Sequence, residues 1–258
     1  MFILLEGRFM RIRQLVLVAK DRDKVVKDLC DLFKIEVAFY DPGIIHFGLE
    51  NAVIPVGDTF LEVVSPVQED TTAGRYLERR KGDGGYMVII QTDNFVKAKE
   101  RVVSEGIQIV WNADRREEGI RAQGIHLHPK ELGAILSIDS MEPTSSWLWA
   151  STKWEEKIHT EVSIGLNGVC LQSKDPEDMM RKWEKALGVE GIYKNNQFLI
   201  ELNDSRVVFV EDSDGRGDGI ESFEINVKDK ESVIESAENL GLYINHEVHI
   251  GGAKFLLN

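Results

Sequence analysis

The chain has 258 residues, of which 43% are hydrophobic and 29% charged, and its net charge is −13. At about 100–200 residues per domain, this length allows one large unit or two modest ones with a sizeable core. The acidic balance argues against nucleic acid or an anionic membrane as partner, since both need basic patches. The run Arg79-Arg80-Lys81 is short and flanked by Glu78 and Asp83, so it reads as a solvated helix end. The two cysteines, Cys30 and Cys170, sit in amphipathic segments and are expected to be buried free thiols of a reducing compartment. The N-terminal apolar run is only four residues, from Phe2 to Leu5, too short for a signal peptide. No stretch approaches the ~20 apolar residues of a membrane span. Residues 1–9 read as an extension ahead of the first strand, and the expected location is cytoplasmic.

Residues 11–20 alternate and are rich in Leu and Val, which predicts a strand. Asp21-Arg22-Asp23 offers N-caps, and Val25, Val26, Leu29, Leu32 and Phe33 recur at helical spacing. Strands are predicted over 36–40, 44–49 and 59–64, separated by Asp41-Pro42-Gly43 and Gly57-Asp58. A short helix over 71–80 is broken by Gly82-Asp83-Gly84-Gly85. The order then returns: strand 86–92, a cap at Asp93-Asn94, a helix carrying Phe95, Ala98 and Val102, a stop at Gly106, and strands 107–111, 120–127 and 134–139.

Residues 141–160 are turn-like and crowd Trp147, Trp149 and Trp154 together. They read as a linker whose tryptophans pack between two halves; an aromatic platform for a ligand is the alternative. A third pass follows, with strand 163–173, a helix started by Asp175-Pro176 and ended by Gly188, and strands 197–202 and 206–210. The fourth has strand 220–227, a helix over 230–240 stopped by Gly241, and strands 242–248 and 254–257. Four passes of one pattern are an internal repeat of the α+β class, in tandem β-α-β-β-β modules. Two such units can close a curved sheet around a cleft, a natural ligand site.

Three stretches carry a family likeness: RIRQLVLVAKDRDKVVKDL, DTFLEVVSPVQEDTTAGRYLERRKGDGGYMVIIQTDN and GIHLHPKELGAILSID. Together they resemble the vicinal-oxygen-chelate superfamily (glyoxalase, bleomycin-resistance and dioxygenase-like proteins), most closely its epimerase-like and glyoxalase-like branch. The likeness covers about residues 11–140; residues 160–258 share only the layout. It implies two half-barrel domains, 10–142 and a degenerate 160–258, joined by a linker at 143–159. It also implies one divalent metal in the cleft, held by His, Gln or Glu from the first and last strand of each unit.

Carried over residue by residue, the four ligand positions fall on Gln14, Glu62, Met87 and Ile138. Gln14 is a neutral oxygen donor, and Met87 a soft thioether unsuited to a hard ion. Ser137 and Asp139 are expected on the face opposite Ile138, because side chains alternate. In the second domain the positions near Gly168, Phe209 and Ser222 supply no metal set. Gln14 and Glu62 thus remain as a remnant, no cofactor is expected, and a divalent metal is the alternative.

Glu62, a carboxylate in an apolar strand, reads as a metal ligand, a general base of raised pKa, or a structural group bonded to Gln14. Gln14, Glu62, Met87, His46 and Gln91 form the predicted substrate-contacting set, with Glu62 the catalytic candidate. His46 reads as a cleft base or a half-buried strand residue. His126 and His128 share one side of a strand and read as rim histidines, with a ligand pair as the alternative. The functional expectation is a protein with an incomplete metal site that binds a small molecule in the first cleft. The alternative is a metal-dependent isomerase, epimerase or lyase acting on a substrate with vicinal oxygens. A homodimer is allowed for.

Overall fold

The computed structural model describes residues 9–258. The reading of the N-terminal extension, all but residue 9, lies outside the described residues. Strand β1 (Met10–Val18) is buried along its whole length. Helix α1 (Arg22–Phe33) starts where Asp21 accepts from the Lys24 amide, and it buries Val25, Val26, Leu29, Leu32 and Phe33.

The next segment corrects the sequence reading. Residues 36–40 form no strand, only an isolated bridge between Phe39 and Val53. Of the residues expected as strand 44–49, residues 44–47 lie in a 3-10 helix, Pro42–Phe47, and Leu49 begins the next strand. Asp41 caps it by accepting from Gly43, Pro42 opens it, and Gly48 at φ 70 closes it. These are helix start and stop signals set around two isoleucines, and they outweigh the β preference of those isoleucines. The true strand is β2 (Leu49–Val56), disguised by Asn51 and Pro55. It turns at Gly57-Asp58 into β3 (Thr59–Pro66).

Helix α2 (Thr72–Arg79) leads to β4 (Gly84–Thr92), α3 (Phe95–Ser104), β5 (Ile109–Glu117), β6 (Ile120–Leu127) and β7 (Ile135–Glu142). The segment after β7 holds two short 3-10 helices, Leu148–Ala150 and Trp154–Lys157. Then come β8 (Ser163–Ser173), α4 (Pro176–Leu187), β9 (Ile192–Lys194), β10 (Gln197–Glu201) and β11 (Arg206–Glu211). The chain closes with β12 (Gly219–Val227), α5 (Lys230–Asn239), β13 (Tyr243–Ile244), β14 (Glu247–Ile250) and β15 (Ala253–Leu257). No helix among the described residues is long and apolar enough to cross a membrane.

The protein is α+β. The first half runs β2-β3-β1-β4-β7-β6-β5 across the sheet, and the second β9-β10-β11-β8-β12-β15-β14-β13. At the centre of each, the two long strands are antiparallel, β1 with β4 and β8 with β12. Each long strand takes a parallel neighbour on its other side: β3, β7, β11 and β15.

One strand pairing joins the halves, Gly85 with Ile220. A Cβ on Gly85 would lie 2.6 Å from Ile220 Cβ, so the second half needs a residue without a side chain there. The glycine pair expected only to break a helix therefore also begins a strand and makes the joint. The helix-bearing faces of both halves share one apolar cluster, holding Leu15, Leu29 and Val102 with Met180, Trp183 and Phe255. A second cluster covers the other face of the first sheet, with Val16, Phe60, Val64 and Ile89. Cys30 is half-buried and Cys170 buried, and both are free.

Candidate functional site

A cavity of about 460 Å³ opens on that second face. Three sides of it follow from strand alternation. Gln14 on β1, Glu62 on β3 and Met87 with Ile89 on β4 all line it. Asn51 on β2 joins them, and β5, β6 and β7 contribute Trp111, His126 and Asp139.

The floor is one chain of hydrogen bonds. Gln14 Nε2 donates to Glu62 Oε2 at 2.7 Å, and Asn51 Nδ2 donates to Glu62 Oε1 at 2.7 Å. The Asn51 carbonyl accepts from the Asp41 amide at 2.8 Å. Gln14 Oε1 accepts from the Trp147 indole at 2.7 Å. Gln14 and Glu62 sit on adjacent parallel strands, so their bond runs along the floor and not across the cleft. Burial pushes the Glu62 carboxyl up to about 7 against the two amide bonds, which pull it down.

The wall opposite has a second carboxylate. Asp139 accepts from the Ser137 hydroxyl and, at 2.6 Å, from the Trp149 indole. Burial pushes it up to about 7 as well. No ion pair to Glu62 or Asp139 occurs among the described residues. Gly124, the cross-strand neighbour of Asp139, leaves the room it needs: a Cβ there would lie 2.9 Å from Asp139 Oδ2.

The phase expected for this strand is corrected here. Ile138 is fully buried in the main core, while Asp139 faces the cavity. The strand register gives the reason. Glu62 stands opposite Val16, two residues past Gln14, and Ser137 stands opposite Ile89, two residues past Met87. The two-fold relation of the strand pairs therefore sets Ser137, not Ile138, in the place matching Glu62. Alternation holds, displaced by one residue.

The remaining predicted contacts divide. Met87 lines the cavity beside Ile89. His46 does not; it is exposed on the 3-10 helix, with its ring against Phe47. Gln91 is buried outside the cavity, where its Nε2 donates to the Thr144 carbonyl at 2.7 Å. His126, read as a rim residue, lines the cavity and packs against Trp111, with ring centroids 4.2 Å apart and the planes tilted by 37°. Desolvation lowers its pKa to about 4, so the imidazole is neutral. His128 lies past the end of β6, where its Nδ1 accepts from the Lys130 amide.

The tryptophans of the connecting segment do not pack between the halves. Trp147 and Trp154 fill the first half's own concave face against Phe60, with ring centroids 6.0 and 4.9 Å away. The Arg13 guanidinium lies 5.5 Å from the Phe60 and Trp147 rings, a cation–π contact that fixes this strap. Trp149 faces the cavity.

Asn51, Trp111 and Asp139 are among the cavity residues that sequence reasoning missed. Asp139 carried a usable signal, a carboxylate within an apolar strand, the same one that marks Glu62. Among the described residues, no group of three or more His, Cys, Asp or Glu side chains is placed to hold a metal ion. In the second half, the region of the expected ligand positions holds an ion pair instead. Glu224 packs over Gly168 and binds the Arg206 guanidinium at 2.9 Å.

Curved sheets paired about a central antiparallel strand pair, with a cleft on the open face, define the vicinal-oxygen-chelate fold. The family model described as a glyoxalase-like domain matches residues 14–187, and the chain belongs to that family. A hypothetical protein from Staphylococcus aureus is similar in structure, at 12% identity and TM-score 0.64, over 97% of this chain and 99% of that one. A mutant of 4-hydroxymandelate synthase from Streptomyces coelicolor is similar at 15% identity and TM-score 0.66, over 92% and 76%. Methylmalonyl-CoA epimerase from Mycobacterium tuberculosis aligns with half of the chain, at 17% identity and TM-score 0.43. No curated protein matches the sequence.

Proposed function

We propose that this glyoxalase-like protein binds a small molecule in the cleft of its first half, without a complete metal site. The supporting observation is the way Glu62 is held. Both of its oxygens accept from side-chain amides, and the Gln14 oxygen is capped by an indole N–H. An ion there would find the Gln14 oxygen already held by the Trp147 indole, and across the strand pair it would meet the Met87 thioether, a poor partner for a hard divalent cation. The residues present therefore do not fit the metal that the resemblance implies. On this reading the chain is four modules in two units, 10–142 and 160–258, with 143–159 acting as a strap over the first. Elemental analysis and calorimetric titration with Mn, Co, Ni and Zn test it. The expected result is no stoichiometric metal. Tight binding that disappears in Glu62→Ala would overturn it.

A second reading is an isomerase, epimerase or lyase. It is favoured by two carboxyls, Glu62 and Asp139, both pushed up to about 7 on two walls of one cavity. Groups near neutrality suit proton transfer in either direction. Dicarbonyl and acyl-thioester substrates, assayed with wild type and Glu62→Gln, test this. Turnover by the wild type, lost in the variant, would establish it; no turnover, or turnover unchanged in the variant, counts against it.

A further inference from the structure

The wall opposite Gln14 has a composition of its own. Trp111 on β5 is half-buried and gathers three aromatic neighbours: His126, Trp149 at 6.3 Å and Phe47 at 6.0 Å between centroids. Behind this corner lies Asp139, 2% exposed. Each of its oxygens accepts one side-chain bond, and a carboxylate oxygen has room for about two. Spare acceptor capacity thus remains on a carboxyl group with no cation beside it, and a bound cation would favour its ionised form. Asp41 and Glu62 add further negative charge to the lining, and the cationic side chain there, Arg115, is paired with Glu117. His126 is neutral and contributes no positive charge.

Such a lining repels anions. It suits a ligand that brings its own positive charge, because aromatic faces and a desolvated carboxylate both attract a weakly hydrated cation. The net charge of −13 draws the same class of ligand toward the protein. We propose that the Trp111–Trp149–Asp139 wall binds an organic cation, a quaternary ammonium or protonated amine carried on an apolar body. This rests on the reading of the cavity as a small-molecule site and adds its ligand class.

Calorimetric titration of the full chain with three probes tests it. They are benzyltrimethylammonium, its uncharged isostere neopentylbenzene, and the anion phenylacetate. The ammonium should bind at least tenfold more tightly than either. Asp139→Asn should weaken the ammonium about tenfold and leave neopentylbenzene unchanged. Trp111→Leu, at a half-buried strand position, should weaken the ammonium while Asp139 stays in place. Equal or tighter binding of the neutral or anionic probe overturns the inference and leaves the small-molecule reading standing. Ammonium binding undiminished in both variants also overturns it. No binding of any probe counts against both.

Discussion

The indole of Trp147 donates to the side-chain oxygen of Gln14 across 133 residues of sequence, at 2.7 Å. That bond ties the strap to the first strand and sets which end of the Gln14 amide faces Glu62. With its oxygen held by the indole, Gln14 must present N–H to the carboxylate. Trp147→Phe keeps the stack on Phe60 and removes the bond. We expect a loss of about 1–3 kcal/mol from the unpaired amide oxygen, read from urea unfolding. Trp147→Ala removes the fully buried ring too, and should cost about 3–5 kcal/mol.

Asp139 makes stability depend on pH. Its carboxyl is pushed up to about 7 in the folded chain, from an ordinary value of 3.8. A folded pKa above the unfolded one means that the native state holds the proton more tightly. Its contribution is therefore fully present below about pH 4 and is lost as pH rises through about 7. Asp139→Asn keeps an acceptor for Trp149 and cannot ionise. Chemical denaturation from pH 5 to 8 should show the wild type losing stability relative to this variant. Parallel curves would contradict it.

Gly124 is required by a side chain on the neighbouring strand. Alanine there would set its Cβ 2.9 Å from Asp139 Oδ2 and press the carboxylate off the Trp149 indole. Gly124→Ala should cost about 1–3 kcal/mol by overpacking. Trp149 fluorescence should change in the same variant. An unchanged spectrum with wild-type stability would show that the wall yields.

His126 should stay neutral through the physiological range. Desolvation holds its pKa near 4, and no carboxylate is among the causes that shift it. Its ring proton shifts, followed by NMR, should be flat between pH 5.5 and 8. A midpoint near the ordinary 6.5 would mean that the cavity wall is open to water there.

The joint between the halves rests on a contact that tolerates no side chain. Gly85→Ala would place a Cβ 2.5 Å from Ile220 Cγ2 and 2.6 Å from its Cβ, both within a fully buried residue. We expect a loss of at least 1 kcal/mol, and earlier hydrogen exchange at Ile220 than at the centre of β8.

Periodicity and punctuation determined most of the elements. Helices α1, α3, α4 and α5 lie where apolar residues recur at helical spacing between an Asp or Asn cap and a glycine or lysine in the left-handed region, or a short distance before a glycine. The long strands β1, β8 and β12 announced themselves by segments rich in Leu, Val and Ile, with polar residues interleaved. The family followed from short motifs, which are local in the chain. Gln14 and Glu62 follow from carrying the resemblance over position by position; Glu62 is conspicuous besides, as a carboxylate in an apolar strand.

Tertiary structure decided what depends on register and on distant partners. The face that Asp139 takes is fixed by the pairing of β7 with β4 and β6, and a shift of one residue reverses every side chain. His46 left the site because Pro42 and Gly48 made a 3-10 helix of an expected strand. Trp147 and Trp149 reached the two carboxylate clusters because the strap folds back over the cleft instead of lying between the halves. Both carboxyls owe their shifted protonation to burial, which only the assembled sheet, helix and strap create.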